Sequence, residues 1–227
     1  VSGDGFGAWL RARPLRPSGT KVRLFNGRLK GNQRAHHAVV DIDLIGRNLQ
    51  QCADAVIRLR AEWQWARGRH KDISFRLTNG MNVPWKKWSS GWRVKVEGGR
   101  RTRWVKGRKS RSKKAFRRYL KFIMTYAGTA SLARQLKRTK PAKVRIGDIL
   151  VQGGFPGHAV IVLDMAKGPS GKRFVMLGQS FMPAQDFHVL ANRNRRKLSP
   201  WYRLDSLRTG LATPEWRPFK KRDLRTW

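Results

Sequence analysis

A single thiol, Cys52, and five imidazoles are the groups in this 227-residue sequence best suited to covalent chemistry. Cys52 falls in Asn48-LQQCADAVIRLRAEWQWAR, where Cys52, Val56, Leu59 and Trp63 share one face of a helix at the i, i+4, i+7, i+11 spacing. Asn48 is the expected N-cap. A thiol in the first turn of a helix feels the positive end of the peptide dipoles and unpaired N–H groups, which lower its pKa and favour a nucleophile. Asp54, two positions on, works the other way and raises it. A base is available at His158, which opens the apolar run His158-AVIVLDMA directly after the loop Gly153-Gly154-Phe155-Pro156-Gly157. If that run folds back at Gly168-Pro169-Ser170-Gly171, antiparallel pairing sets His158 opposite a residue within two of Phe181. Gln179 and Ser180 lie in that window. The amide oxygen of Gln179 is expected to accept the His158 Nδ1–H and fix the tautomer, with Ser180, Gln185 and Asp186 as rivals for the role. Gln51, or the Cys52 amide N–H, is the candidate for holding an oxyanion at the helix start. The plainer reading of the same residues is an inert inward-facing thiol and a histidine that only satisfies a strand end.

His36 and His37 with Asp41 and Asp43 are metal-ligand types on one short stretch, but no HExxH or similar spacing joins them, and neither a metal nor a cofactor is expected. One cysteine excludes an internal disulfide, a CxxC redox pair and a Cys-rich zinc site.

The elements that must position these groups follow from periodicity. A strand is expected over Ala38–Leu44, the helix from Asn48 to about Arg67, a strand over Ile73–Leu77 and a Trp-rich hairpin-like stretch over Trp85–Val96 turning at Gly98-Gly99. A second helix runs from Lys114 to a C-cap at Gly128, with a shorter one over Ser131–Lys137. Strands then dominate: Ile149–Gln152, the His158 run and Arg173–Ser180. A single α+β domain over 1–227 is the simplest account, helices first and sheet second, with a basic insertion at about 98–114 and a C-terminal extension from about 192 that packs on the body.

Charge is the other dominant feature. Lys and Arg number 51 against 13 Asp and Glu, a net charge of +38 and a pI near 11.9. With 40% hydrophobic residues, 10 Trp and 10 Phe, these cations decorate a fold and do not form a disordered tail. Such a field gathers polyanions in a salt-dependent way: an anionic wall polymer, a membrane surface, or nucleic acid held without sequence preference. The densest stretch runs from Arg100 to Lys121, with 12 basic residues and no acidic one. Within it Arg100, Arg101, Arg103, Lys106, Arg108, Lys109 and Arg111 surround Trp104 in what reads as a phosphate-binding surface loop. No zinc finger, RRM signature or helix-turn-helix is visible, and no apolar stretch approaches the ~20 residues of a membrane helix. Val1 in place of an initiator Met reads as a mature form after removal of a targeting segment, which gives a periplasmic or cell-envelope location as the expectation.

The segments QQCADAVIRLRAEWQW, YAGTASL, GDILVQGGFPGHAVIVLDMA, GQSFMPAQDFHVL and SPWY resemble a bacterial domain-of-unknown-function family, number 4846, over about Phe6–Trp216. Their Gly-His-strand arrangement is similar, at greater distance, to papain-like NlpC and CHAP hydrolases, which cleave peptidoglycan peptides with Cys, His and a polar third residue. That similarity implies a papain-like core in which a helix carrying Cys52 packs on an antiparallel sheet carrying His158. It further implies Cys52 as nucleophile, His158 as base and Gln179 or a neighbour as orienter. The implied activity is a cysteine amidase or peptidase on cell-envelope material. Two alternatives remain beside it: a catalytically silent module that binds polyanion or carbohydrate, and a thiol-dependent acyltransferase or thioesterase.

Overall fold

A computed structural model describes residues 5–99 and 101–227. Its frame is an eight-stranded antiparallel sheet in the spatial order His36–Val39, His188–Leu190, Arg173–Gln179, His158–Lys167, Ile149–Gln152, Leu224–Thr226, Lys137–Arg138, with Trp201–Arg203 pairing onto Arg173–Gln179. The protein is thus α+β, built on antiparallel pairing. Alternation along the His158–Lys167 strand serves two cores. Ala159, Ile161 and Leu163 face the helices, while Val160 and Val162 face a second cluster with Leu204, Leu207, Leu211 and Phe219. The residues beyond 192 are therefore part of the frame: they supply two sheet strands and nearly half of the second core.

The cysteine helix spans Cys52–Ala66 and packs on the His158–Lys167 strand. It is buried on almost every side, as a helix enclosed by neighbours must be. Its buried polar residues are held in place: Arg58 pairs with Glu62 at 2.8 Å and with Asp43, and the Gln64 amide donates to the Asp72 carbonyl. The cap differs from expectation. Gln51 is the N-cap, and its N–H donates to the Asp54 carboxylate at 3.0 Å. Asn48 instead ties down a distant loop, accepting from the Ala184 N–H at 2.8 Å and from the Gln51 amide at 3.2 Å. The chain turns into the helix through Gln50, whose φ of 67° lies in the left-handed region a non-glycine residue rarely occupies. Cys52 is consequently the first helical residue.

Other boundaries move for comparable reasons. The first sheet strand is His36–Val39, not Ala38–Leu44, because the Val40 N–H pairs with the Phe187 carbonyl and the chain then leaves the sheet. Trp85–Ser89 is a short helix whose Trp85 and Trp88 meet Tyr119 edge-on, and the hairpin after it pairs Trp92–Glu97 with Arg101–Lys106. Gly128 opens the Thr129–Gln135 helix, its N–H donating to Ser131 Oγ, and the preceding helix, Lys113–Tyr126, ends at Ala127. Among the described residues no helix is long and apolar enough to cross a membrane.

Candidate functional site

The register observed in the sheet is the one required to join His158 to Gln179. Ile161 pairs with Gly178, so Phe181 falls opposite His158 and Gln179 lies diagonally across on the same face. The imidazole reaches the amide: His158 Nε2 lies 2.7 Å from Gln179 Oε1, both side chains fully buried. The expected contact through Nδ1 is thereby corrected to one through Nε2.

The reason lies in groups outside the expected set. Gln179 Nε2 donates to the Glu215 carboxylate at 3.0 Å, and Glu215 is ion-paired with buried Lys30. A carboxylate only accepts, so the amide must turn its NH₂ to Glu215 and its oxygen to His158. The proton then sits on His158 Nε2, and Nδ1 keeps the lone pair. Among the described residues Nδ1 has no hydrogen-bond partner although it is buried. The same amide lies 3.5 Å from Nε2 of His188, whose Nδ1–H donates to the Asp186 carbonyl at 2.9 Å. A polar thread thus runs from Asp186 through His188 and Gln179 to His158.

Cys52 arrives from the helix side. Arg173–Gln179 stops pairing with His158–Lys167 beyond Ile161–Gly178, and the helix start lies at this end of the sheet, with Ser180 Oγ 2.9 Å from the Gln50 carbonyl. There the thiol donates to the Gly157 carbonyl at 4.0 Å and meets the N–H of Ala159, with the Cys52 and Ala53 N–H groups also turned to sulfur. The His158 ring inclines to the opposite core, against Phe181, Trp216 and Phe219 at centroid distances of 4.9, 5.1 and 6.1 Å. No hydrogen bond joins the thiol to either ring nitrogen among the described residues.

Burial governs the electrostatics. It pushes the Cys52 thiol up to about 11, with Asp54 adding to the rise and the Ala159 N–H opposing it. Burial also pushes His158 down to about 4, against the Gln179 bond that favours the cation. Thiol and imidazole are both neutral near pH 7, so proton transfer from sulfur to Nδ1 would accompany bond formation and not precede it.

The rival third residues serve other ends. Ser180 Oγ lies 2.9 and 2.8 Å from the Gln50 and Gln185 carbonyls, which compete for its one proton, and Asp186 accepts from Arg16 and the Arg23 N–H. The Gln185 side-chain nitrogen is buried without a partner among the described residues. The Gln51 amide is turned to Asn48, so the N–H groups around sulfur, not that side chain, are the donors at hand for an oxyanion. His36, Asp41 and Asp43 part company: His36 meets the Thr20 carbonyl, Asp41 pairs with Arg16 and Asp43 with Arg58.

Gly157 makes this junction possible. A Cβ there would come within 2.2 Å of Thr129 Oγ1, 2.6 Å of the Gln152 carbonyl and 2.7 Å of the Gly154 nitrogen. Two of these atoms are main chain and cannot swing away. Gly157→Ala is expected to cost about 1–3 kcal/mol, read as a lower urea midpoint at unchanged m-value.

The basic stretch is not a loop throughout: Arg101, Arg103 and Lys106 stand on the hairpin strand, while Arg108, Lys109 and Arg111 lead into the Lys113–Tyr126 helix. Arg103 is paired with Glu97 at 3.2 Å. Arg100 lies outside the described residues.

Fold and site together define an α+β protein that brings a helix-start thiol and an amide-held histidine to one end of an antiparallel sheet. Residues 1–226 match the family described as domain of unknown function 4846, and the chain belongs to that family. No curated protein and no solved structure matches it.

Proposed function

We propose that the protein is a cysteine-dependent hydrolase of papain-like design, an amidase or peptidase acting on cell-envelope material such as peptidoglycan. The observation that carries this reading is the His158–Gln179 bond, which leaves a buried, unpaired Nδ1 at the strand end where the Cys52 thiol meets the main chain. Cys52 attacks the carbonyl carbon while its proton passes to Nδ1. The N–H groups of Cys52, Ala53 and Ala159 beside sulfur are the donors nearest the carbonyl oxygen, which takes up the negative charge as the carbon–sulfur bond forms. The imidazolium then protonates the departing amine, and water, deprotonated by His158, releases the acyl group and restores the thiol. The exposed cations hold the reaction at an anionic wall polymer or membrane surface, and the envelope is its place of work.

A second reading has its own observation. Thiol and imidazole are each less than 5% exposed and neutral, and they approach the strand from its two faces. This favours a silent module that keeps the shell and binds polyanion or carbohydrate. Incubation with peptidoglycan stem-peptide fragments, beside iodoacetamide labelling of Cys52, separates the two. Release of new amine termini by the wild type, lost in Cys52→Ala, supports the hydrolase. Intact fragments and a thiol that labels equally slowly in wild type and His158→Ala overturn it in favour of the module.

A further inference from the structure

The most unusual set of unsatisfied groups lies away from Cys52. Arg60 sits eight residues down the cysteine helix, about 12 Å along its axis, and Met165 of the same neighbourhood is seven residues along the strand from His158, about 23 Å. Between them lies a cavity of about 730 Å³. Four arginines line it, Arg11, Arg60, Arg69 and Arg145, against one carboxylate, Asp148. Three N–H groups on its walls are buried and lack a hydrogen-bond partner among the described residues: Arg60 Nε, Trp63 Nε1 and Trp227 Nε1. Buried donors of this kind are normally paired, and a set of three on one cavity marks an absent acceptor.

The cations are placed in keeping with that. Arg11 is paired with Asp164 at 3.2 Å and Arg69 with Asp72 at 2.8 Å, both half-exposed at the rim. Arg60 makes no ion pair among the described residues. Its guanidinium is instead laid over three rings, 4.5 Å from the Trp63 centroid, 5.0 Å from Phe6 and 5.1 Å from Trp227. Burial, and Arg69 beside it, pull Arg60 down to about 10, with Asp72, itself paired to Arg69, only partly opposing them. Asp148 is turned elsewhere: its carboxylate accepts from the Arg145 N–H at 2.9 Å and makes no ion pair with Arg60 among the described residues.

We propose that this cavity binds a small phosphorylated ligand, its phosphoryl oxygens held by Arg60, Arg69 and the two indole N–H groups. Guanidinium forks match phosphate oxygens, and four of them around the cavity, two paired with Asp164 and Asp72 at the rim, leave an excess of positive charge that favours a multiply charged anion over a monovalent one. The site is separate from the thiol and holds whether or not Cys52 is catalytic.

The test uses the full chain in 0.3 M KCl, which screens loose attachment to the basic surface. Pyrophosphate and phenyl phosphate are titrated while the indole Nε1–H resonances of Trp63 and Trp227 are followed by ¹H–¹⁵N correlation, with acetate as the monovalent comparison. Both resonances are expected to shift and saturate at one equivalent, with affinity at least about tenfold weaker in Arg60→Gln and unchanged in Arg103→Gln on the distant hairpin. Arg69→Gln, at a half-exposed rim position, is expected to weaken binding in the same direction and decides the matter should Arg60→Gln fail to fold. Shifts that do not saturate, an affinity equal in all variants, or acetate binding as tightly as pyrophosphate overturn the proposal.

Discussion

His158→Ala is expected to slow acylation of Cys52 by about three orders of magnitude, roughly 4 kcal/mol of transition-state stabilisation. The size follows from the neutral resting pair. A thiol pushed up to about 11 offers almost no thiolate at pH 7, so nearly every productive attack must hand its proton to Nδ1 as the new bond forms. Gln179→Leu is expected to cost about a hundredfold by a different route. It removes the acceptor of the His158 Nε2–H, so the proton is free to move to Nδ1 and the basic lone pair is lost from the side of the ring that needs it. Because one change acts through the other, the double variant should be no slower than His158→Ala alone. Single-turnover acylation by a stem-peptide ester in all four proteins checks this. Additive losses, or no loss in either single variant, would mean that the bond at 2.7 Å serves packing and not proton transfer.

The parts of this site legible beforehand were those set by local pattern. The Gly168-Pro169-Ser170-Gly171 turn makes the hairpin legible, but the register next to it would set Gln179 on the other face; a bulge between Val162 and Asp164 shifts the pairing by one residue and brings His158 and Gln179 to one face. The helix start at Cys52 was legible to within a turn from its apolar stripe, but not its cap: Asn48 is claimed by the Ala184 N–H, a partner 136 residues away. The choice of ring nitrogen was hidden for the same reason. It depends on which way the Gln179 amide faces, and Glu215 decides that from a strand connection 36 residues on. A signal did exist, since any acid is scarce in a chain of +38 with only 13 of them, and Glu215 is one. His188 was concealed by its setting in an apolar strand, where it reads as one more core position. The hairpin at 92–106 is legible in its Trp-rich first strand and its Gly98-Gly99 turn, but its second strand, Arg101–Lys106, reads as a surface loop because its run of cations masks the apolar alternation by which strands are recognised.

Acid should weaken the fold well above the range of ordinary carboxylates, and Asp54→Asn should make the loss steeper. Burial holds His158 at about 4 and His188 at about 3, both below the 6.5 of an unfolded histidine. Between pH 7 and 5 the unfolded chain therefore takes up protons that the folded chain refuses, and stability falls by about 2 kcal/mol for each histidine. Asp54 runs the other way. Burial raises it to about 7, so the folded chain binds its proton across this window while an unfolded aspartate, at 3.8, does not. That contributes about 2 kcal/mol of stability gained on acidification. The three groups together leave a net loss of about 1–2 kcal/mol between pH 7 and 5. An asparagine at 54 can still accept the Gln51 N–H but cannot titrate, so the variant should lose about 4 kcal/mol over the same interval. Urea midpoints at pH 7, 6 and 5 read both slopes. A wild-type profile that is flat, with Asp54→Asn parallel to it, would show that these groups do not carry the burial assigned to them. The steeper variant would instead mean that the carboxylate beside the thiol, at first sight a hindrance to its chemistry, offsets the acid sensitivity that two buried histidines impose on the site.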